Sequence, residues 1–114
     1  MIQIYHNPRY GKSRNCLTFL ENCSKEYQII KYLDNPPSSD ELVVILKKLQ
    51  FKPIELVRQK EQIWIENYKN KSLTDEEIIK AMIIHPILIE RPIIIKGNKA
   101  MVARDLEKTS IFLK

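Results

Sequence analysis

The residue types best suited to chemistry lie together near the start of the chain, in His6-Asn7-Pro8-Arg9-Tyr10-Gly11-Lys12-Ser13-Arg14. An apolar run ending at Tyr5 leads into this stretch. A helical spacing of apolar residues (Cys16, Leu17, Phe19, Leu20, Cys23) follows it. The pattern predicts a buried strand, a sharp loop and the start of a helix. Pro8 is expected to stop the strand, because it has no N–H to give a ladder. Gly11 is expected to take a backbone conformation that a side chain would obstruct. A strand that feeds a helix through a tight loop gathers several unpaired backbone N–H groups at one point, and such a point attracts anions. Lys12, Ser13 and Arg14 add donors and positive charge there.

The other candidates are two cysteines and three arginines. On one helix, Cys16 and Cys23 would stand ~10 Å apart along the axis. A disulfide wants its Cα atoms within ~7 Å, so these two are not expected to bridge. They form no metal-ligand spacing, and no metal site is expected. Both read first as small apolar residues on a helix face. Arg58, Arg91 and Arg104 carry guanidinium forks, a geometry that suits the charged oxygens of an anion. Set against this, Arg58 and Arg104 read equally well as arginines paired with carboxylates.

These residues need a scaffold, and 114 residues supply one domain with one core. A hydrophobic content of 44% with 29% charged residues argues against disorder. No apolar run approaches the ~20 residues of a membrane span, and the first residues lack a signal peptide's basic flank, so a cytoplasmic location is expected. The net charge of +5 is mostly lysine spread along expected helices. Without a basic stripe interleaved with aromatics, nucleic-acid binding is disfavoured.

Taken in order, Ile2 to Tyr5 reads as a strand, about Lys12 to Asn22 as a helix, and Tyr27 to Tyr32 as a second strand. This is a βαβ unit with parallel strands. Ser38 or Ser39 caps a helix carrying Leu42, Ile45, Leu46 and Leu49. Pro53 starts a turn that delivers Arg58, Gln62 to Tyr68 is weakly helical, and Thr74 to Glu77 forms a capping box before another helix. That helix ends before His85-Pro86, where His85 reads as a structural cap. Ile93–Ile95 and Ala100–Val102 flank a Lys-Gly-Asn-Lys turn, a strong hairpin signal, and Leu106 to Leu113 closes the chain as a helix. The expected class is α/β: a mixed sheet of about four strands with flanking helices. A helical insertion over about residues 38–84 separates the βαβ and hairpin halves.

The motif His6-Asn7-Pro8-x-x-Gly11-x-Ser13-Arg14 resembles the active-site loop of the glutaredoxin-linked arsenate reductase family, a branch of the thioredoxin superfamily. Tyr32-Leu33-x-Asn35-Pro36-Pro37, Leu56-Val57-Arg58 and His85-Pro86-Ile87-Leu88-Ile89-x-Arg91-Pro92-Ile93 resemble its later segments in the same order. The resemblance implies a single thioredoxin-like domain over residues 1–114 and a cis bond before Pro92 facing the loop. It implies Arg58, Arg91 and Arg104, with Gly11 and Lys12, as oxyanion ligands. It also implies that His6 tunes the electrostatics of the reacting position, and that Ser13 and Arg14 support a thiolate. The alternative for His6 is a cap on its own strand end.

The family's nucleophile is a cysteine in this loop, and here that position is Tyr10. Arsenate reduction needs sulfur that forms a bond to arsenic and is then released by another thiol. A phenol is almost wholly protonated at neutral pH and has no disulfide cycle. Three functional readings follow. The first is a family member that keeps an oxyanion or glutathione site without the redox step. The second is an active thiol oxidoreductase using Cys16, with no bound cofactor and with glutathione and glutaredoxin as reductant and partner. The third reading is a regulator of the RNA-polymerase-binding type in the same superfamily, weakened because Tyr10 and Ser13 fill the places of that type's Cys-x-x-Cys pair.

Overall fold

The computed structural model describes residues 2–22 and 26–113. Along the chain the elements are β1 (Ile2–Tyr5), α1 (Gly11–Glu21), β2 (Tyr27–Ile30), α2 (Ser39–Leu49), a 3-10 turn (Pro53–Leu56), α3 (Gln62–Asn67), α4 (Asp75–Ile84), a second 3-10 turn (Pro86–Leu88), β3 (Ile93–Lys96), β4 (Lys99–Val102) and α5 (Leu106–Leu113). They fall into two compact units, Met1–Asn35 with Arg91–Lys114, and Pro36–Glu90.

The first unit holds a mixed four-stranded sheet in the order β2-β1-β3-β4. Parallel pairing sets Ile2 against Tyr27 and Tyr5 against Ile30. On its other edge β1 runs antiparallel to β3, with Ile2 opposite Lys96 and Tyr5 opposite Ile93. Because β1 is central, its apolar residues are buried, and Ile2 and Ile4 pack with Cys16 and Leu20 of α1, Ile94, Ala103 and Leu113. Burying each of these isoleucines and leucines stabilises the unit by roughly 1.5–3 kcal/mol. β3 and β4 meet through Gly97, whose φ of 61° is a left-handed value that suits a residue without Cβ.

Two local expectations are corrected here. β2 ends at Ile30 rather than Tyr32. His6 N–H donates to the Ile30 carbonyl (2.9 Å), after which β1 offers no further partner. The Lys31 carbonyl instead accepts from Asp34 and Asn35 N–H in a turn. Tyr32 is still fully buried, so its apolar bulk reflects packing rather than strand pairing. Gly11 opens α1 with no left-handed backbone, and a Cβ there would meet only Arg14 Nη2 at 3.7 Å, an ordinary contact. The loop therefore does not require glycine for its backbone conformation. Pro8 sits in a turn beyond the strand, which has already ended at Tyr5. Cys23, expected on the same helix as Cys16, lies outside the described residues.

The second unit is helical. Ser38 and Glu41 form a reciprocal capping box ahead of α2, and Thr74 and Glu77 do the same for α4. Leu42, Ile45, Leu46 and Leu49 of α2, and Ile78, Ile79, Ala81 and Met82 of α4, are the buried faces expected from their spacing. Val57 bridges Ile89, Arg58 N–H donates to the Leu88 carbonyl (2.7 Å) and Glu90 N–H to the Leu56 carbonyl (2.9 Å). His85 ends α4 and sets its ring edge against Tyr68, which stacks on Trp64.

Candidate functional site

The loop between β1 and α1 is built by three buried polar side chains, His6, Asn7 and Ser13. Asn7 Oδ1 accepts Arg9 N–H (3.0 Å), and the Asn7 carbonyl accepts Tyr10 N–H (3.1 Å). An asparagine that bonds the backbone two residues on makes a side-chain turn, and here it reverses the chain after β1. Ser13 ties the loop to the first turn of α1. Its Oγ lies 2.8 Å from His6 Nδ1 and accepts Asn7 N–H at 3.0 Å. Ser13 is thereby the loop's internal anchor.

Burial, with Lys31 nearby, holds His6 below the usual histidine range, although its bond to Ser13 acts the other way. Since Oγ accepts from Asn7, its single proton can serve Nδ1, which suits a neutral imidazole protonated at Nε2. The His6 side chain thus bonds to the first turn of α1, and its burial disfavours the charged ring.

Tyr10 is the N-cap residue of α1 and makes no side-chain cap bond; the first turn carries no acidic residue. The helix N-terminus thus keeps its positive end without a carboxylate of its own first turn. Lys12 and Arg14 are exposed, whereas Ser13 faces inward. Arg91 lies two residues before β3, and the Arg91–Pro92 peptide is cis. Its side chain is buried at 7% exposure, with Cζ over the Tyr10 ring 4.1 Å from the centroid. Nothing local in the sequence announces this pairing.

The remaining candidates separate. Cys16 is fully buried in the core, and burial pushes its thiol up to about 12. Burial of this kind favours the thiol over the thiolate that acts as nucleophile. Arg58 belongs to the helical unit, where its Nη1 contacts Glu61 and its Nε lies 3.1 Å from Glu90 Oε1. That is the carboxylate pairing set against its anion role. Arg104 is exposed just after β4. Among the described residues no cluster of His, Cys, Asp or Glu could hold a metal ion, and no described helix is long and apolar enough to cross a membrane. Asn7, which the sequence offered only as part of a motif, is the additional site residue; an asparagine two residues before Arg9 was its one local signal.

Known proteins share this architecture. Residues 5–112 match the ArsC family. An arsenate reductase of Neisseria meningitidis serogroup A is 38% identical over 98% of this chain and 97% of its own length. An Escherichia coli arsenate reductase is 42% identical over 82% of this chain and 67% of its own. The solved structure of an arsenate reductase from Vibrio cholerae superposes with a TM-score of 0.90 at 38% identity, covering 96% of this chain and 95% of that one. With its mixed four-stranded sheet, thioredoxin-like fold and match across nearly its whole length, the chain belongs to the ArsC family.

Proposed function

We propose that this protein binds a small oxyanion of the arsenate or phosphate type at the head of α1 and has lost the family's thiol redox step. The observation that carries the proposal is the side chain at the head of the helix: it is Tyr10, set against the Arg91 guanidinium, while Cys16 is buried in the core. Reducing arsenic(V) to arsenic(III) takes two electrons, which thiols supply by ending as a disulfide. A sulfur must first bond to arsenic, and a phenol cannot take that part. What Tyr10 leaves intact is the electrostatic half of the site. The N-terminus of α1 has no carboxylate in its first turn, Lys12 and Arg14 lie beside it, and Arg91 and Arg104 come from the hairpin segment. Backbone N–H groups and guanidinium donors together suit a tetrahedral oxyanion. Arg58 is given no anion role, because its guanidinium already serves Glu61 and Glu90.

Titration of labelled protein with phosphate, arsenate and sulfate tests the binding half. Amide shifts confined to residues 10–14 and the Arg91 side chain, saturating in the millimolar range, are expected. No movement there at high anion concentration would overturn the proposal. A glutathione- and glutaredoxin-coupled assay tests the redox half, and robust arsenate turnover by the unaltered chain would restore the reading as an enzyme.

A further inference from the structure

We infer that Tyr10 is a positioning residue for Arg91: its ring holds the guanidinium at the head of α1, so that the tyrosine is a working part of an anion receptor and not merely a missing cysteine. The inference rests on the oxyanion reading above and adds what replaced the sulfur. Arg91 Cζ lies over the ring, 4.1 Å from its centroid, within the distance at which the negative face of an aromatic attracts a cation. The attraction is stronger where water is excluded, and Arg91 is only 7% exposed. The ring springs from a backbone that is hydrogen-bonded on both sides. Tyr10 N–H donates to the Asn7 carbonyl, and the Tyr10 carbonyl accepts Arg14 N–H, both at 3.1 Å. A long, flexible side chain is thereby matched to a rigid partner.

Contact with a ring face also leaves a guanidinium's chemistry intact. The attraction is electrostatic and of itself consumes none of the guanidinium's N–H donors. An arginine already held in place loses less conformational freedom when the anion arrives, and affinity rises accordingly. The contact belongs to the π face and not to the hydroxyl. Phenylalanine should therefore replace Tyr10, whereas a side chain of similar bulk without a π face should not.

The experiment measures inorganic phosphate affinity by amide and arginine Nε–Hε shifts for the unaltered protein, Tyr10→Phe, Tyr10→Leu and Tyr10→Ala, alone and with Arg91→Gln. Tyr10→Phe is expected to stay within about twofold of the unaltered protein. Tyr10→Leu and Tyr10→Ala should bind roughly 5- to 30-fold more weakly, the scale of a desolvated cation–π contact. In the Arg91→Gln background the same two changes should cost nothing further, because the interaction they remove is already gone. Unchanged affinity in folded Tyr10→Leu would overturn the inference, as would tighter binding, which would make the ring a lid. A Tyr10→Phe loss as large as that of Tyr10→Ala would shift the effect to the hydroxyl and also overturn it. If the unaltered protein binds no phosphate, the oxyanion reading itself fails and the positioning role falls with it. That result is distinct from binding that is indifferent to position 10.

Discussion

His6 and Ser13 share a buried hydrogen bond of 2.8 Å that joins the end of β1 to the first turn of α1. The same Ser13 oxygen accepts Asn7 N–H, so one hydroxyl satisfies two otherwise enclosed polar groups. Sheet, loop and helix meet at this atom. The shape of the candidate site depends on it more than on either proline or glycine in the motif.

Ser13→Ala is therefore expected to destabilise the fold. Removing Oγ leaves Asn7 N–H and the His6 ring without their partner in a place closed to water. A buried polar group left unsatisfied costs about 1–3 kcal/mol. Urea unfolding followed by tryptophan fluorescence and circular dichroism would measure it. A midpoint equal to that of the unaltered protein would show that the bond contributes nothing net.

The depressed titration of His6 carries a sign. In the folded protein burial and Lys31 disfavour the charged ring, so its proton is held less tightly than in the unfolded chain, where a histidine titrates near ~6.5. Below that pH the unfolded state binds more protons at this site, and stability falls as pH falls through the folded value. Above it the contribution is fully present. Acidification from neutral pH should thus cost the unaltered protein stability relative to His6→Gln. Because the carboxylates titrate in both proteins, the difference between their stability curves isolates the histidine. A gain of the unaltered protein over His6→Gln on acidification would contradict the burial account.

Cys16 should be silent toward thiol reagents in the native state. In a Cys23→Ser background, a disulfide reagent at pH 8 is expected to leave Cys16 unmodified until urea opens the core. Its reaction rate should then follow the unfolding equilibrium. Full burial and a thiol pushed up to about 12 both point the same way. Rapid labelling of folded protein would return Cys16 to the list of candidate nucleophiles.

The elements that were legible beforehand are those whose cause is local. Ser38 with Glu41 and Thr74 with Glu77 announce helix starts within four residues, and Gly97 announces the hairpin by the backbone angle it permits. Tyr32 misled because β-forming side chains say nothing about where the neighbouring strand runs out. Gly11 misled for the opposite reason: a glycine in a loop motif suggests an unusual angle, yet here it simply begins a helix. Glu61 stands three residues from Arg58, so that pairing was within local reach, but Glu90 is brought to the same guanidinium only by the fold. The contact between Tyr10 and Arg91 belongs to the same class. Its two residues are distant in the chain, and no spacing rule joins them.

Restoring sulfur at position 10 is the most direct test of what the site has kept. Tyr10→Cys is expected to gain measurable glutaredoxin-coupled arsenate reduction over an unaltered protein that shows little or none. The new thiol would stand at the head of α1, where the helix dipole and the nearby Arg14 favour the thiolate; cysteines at such positions commonly ionise at about 3.5–7.5. The change also removes the ring that lies against Arg91, so anion affinity should drop even as chemistry appears. A lower kcat/KM than expected from the thiol's reactivity would then be traced to KM. A second substitution that restores an aromatic face near Arg91 is the natural companion measurement. The assay should include Cys16→Ser and Cys23→Ser in both backgrounds. Turnover by the unaltered protein that disappears with either serine would place the nucleophile at that cysteine. If Tyr10→Cys carries a reactive thiol in a folded protein and still reduces no arsenate, more than the sulfur has been lost. Phosphate titration of the unaltered protein, in which the ring still lies against Arg91, then decides whether the oxyanion role of Arg91 stands.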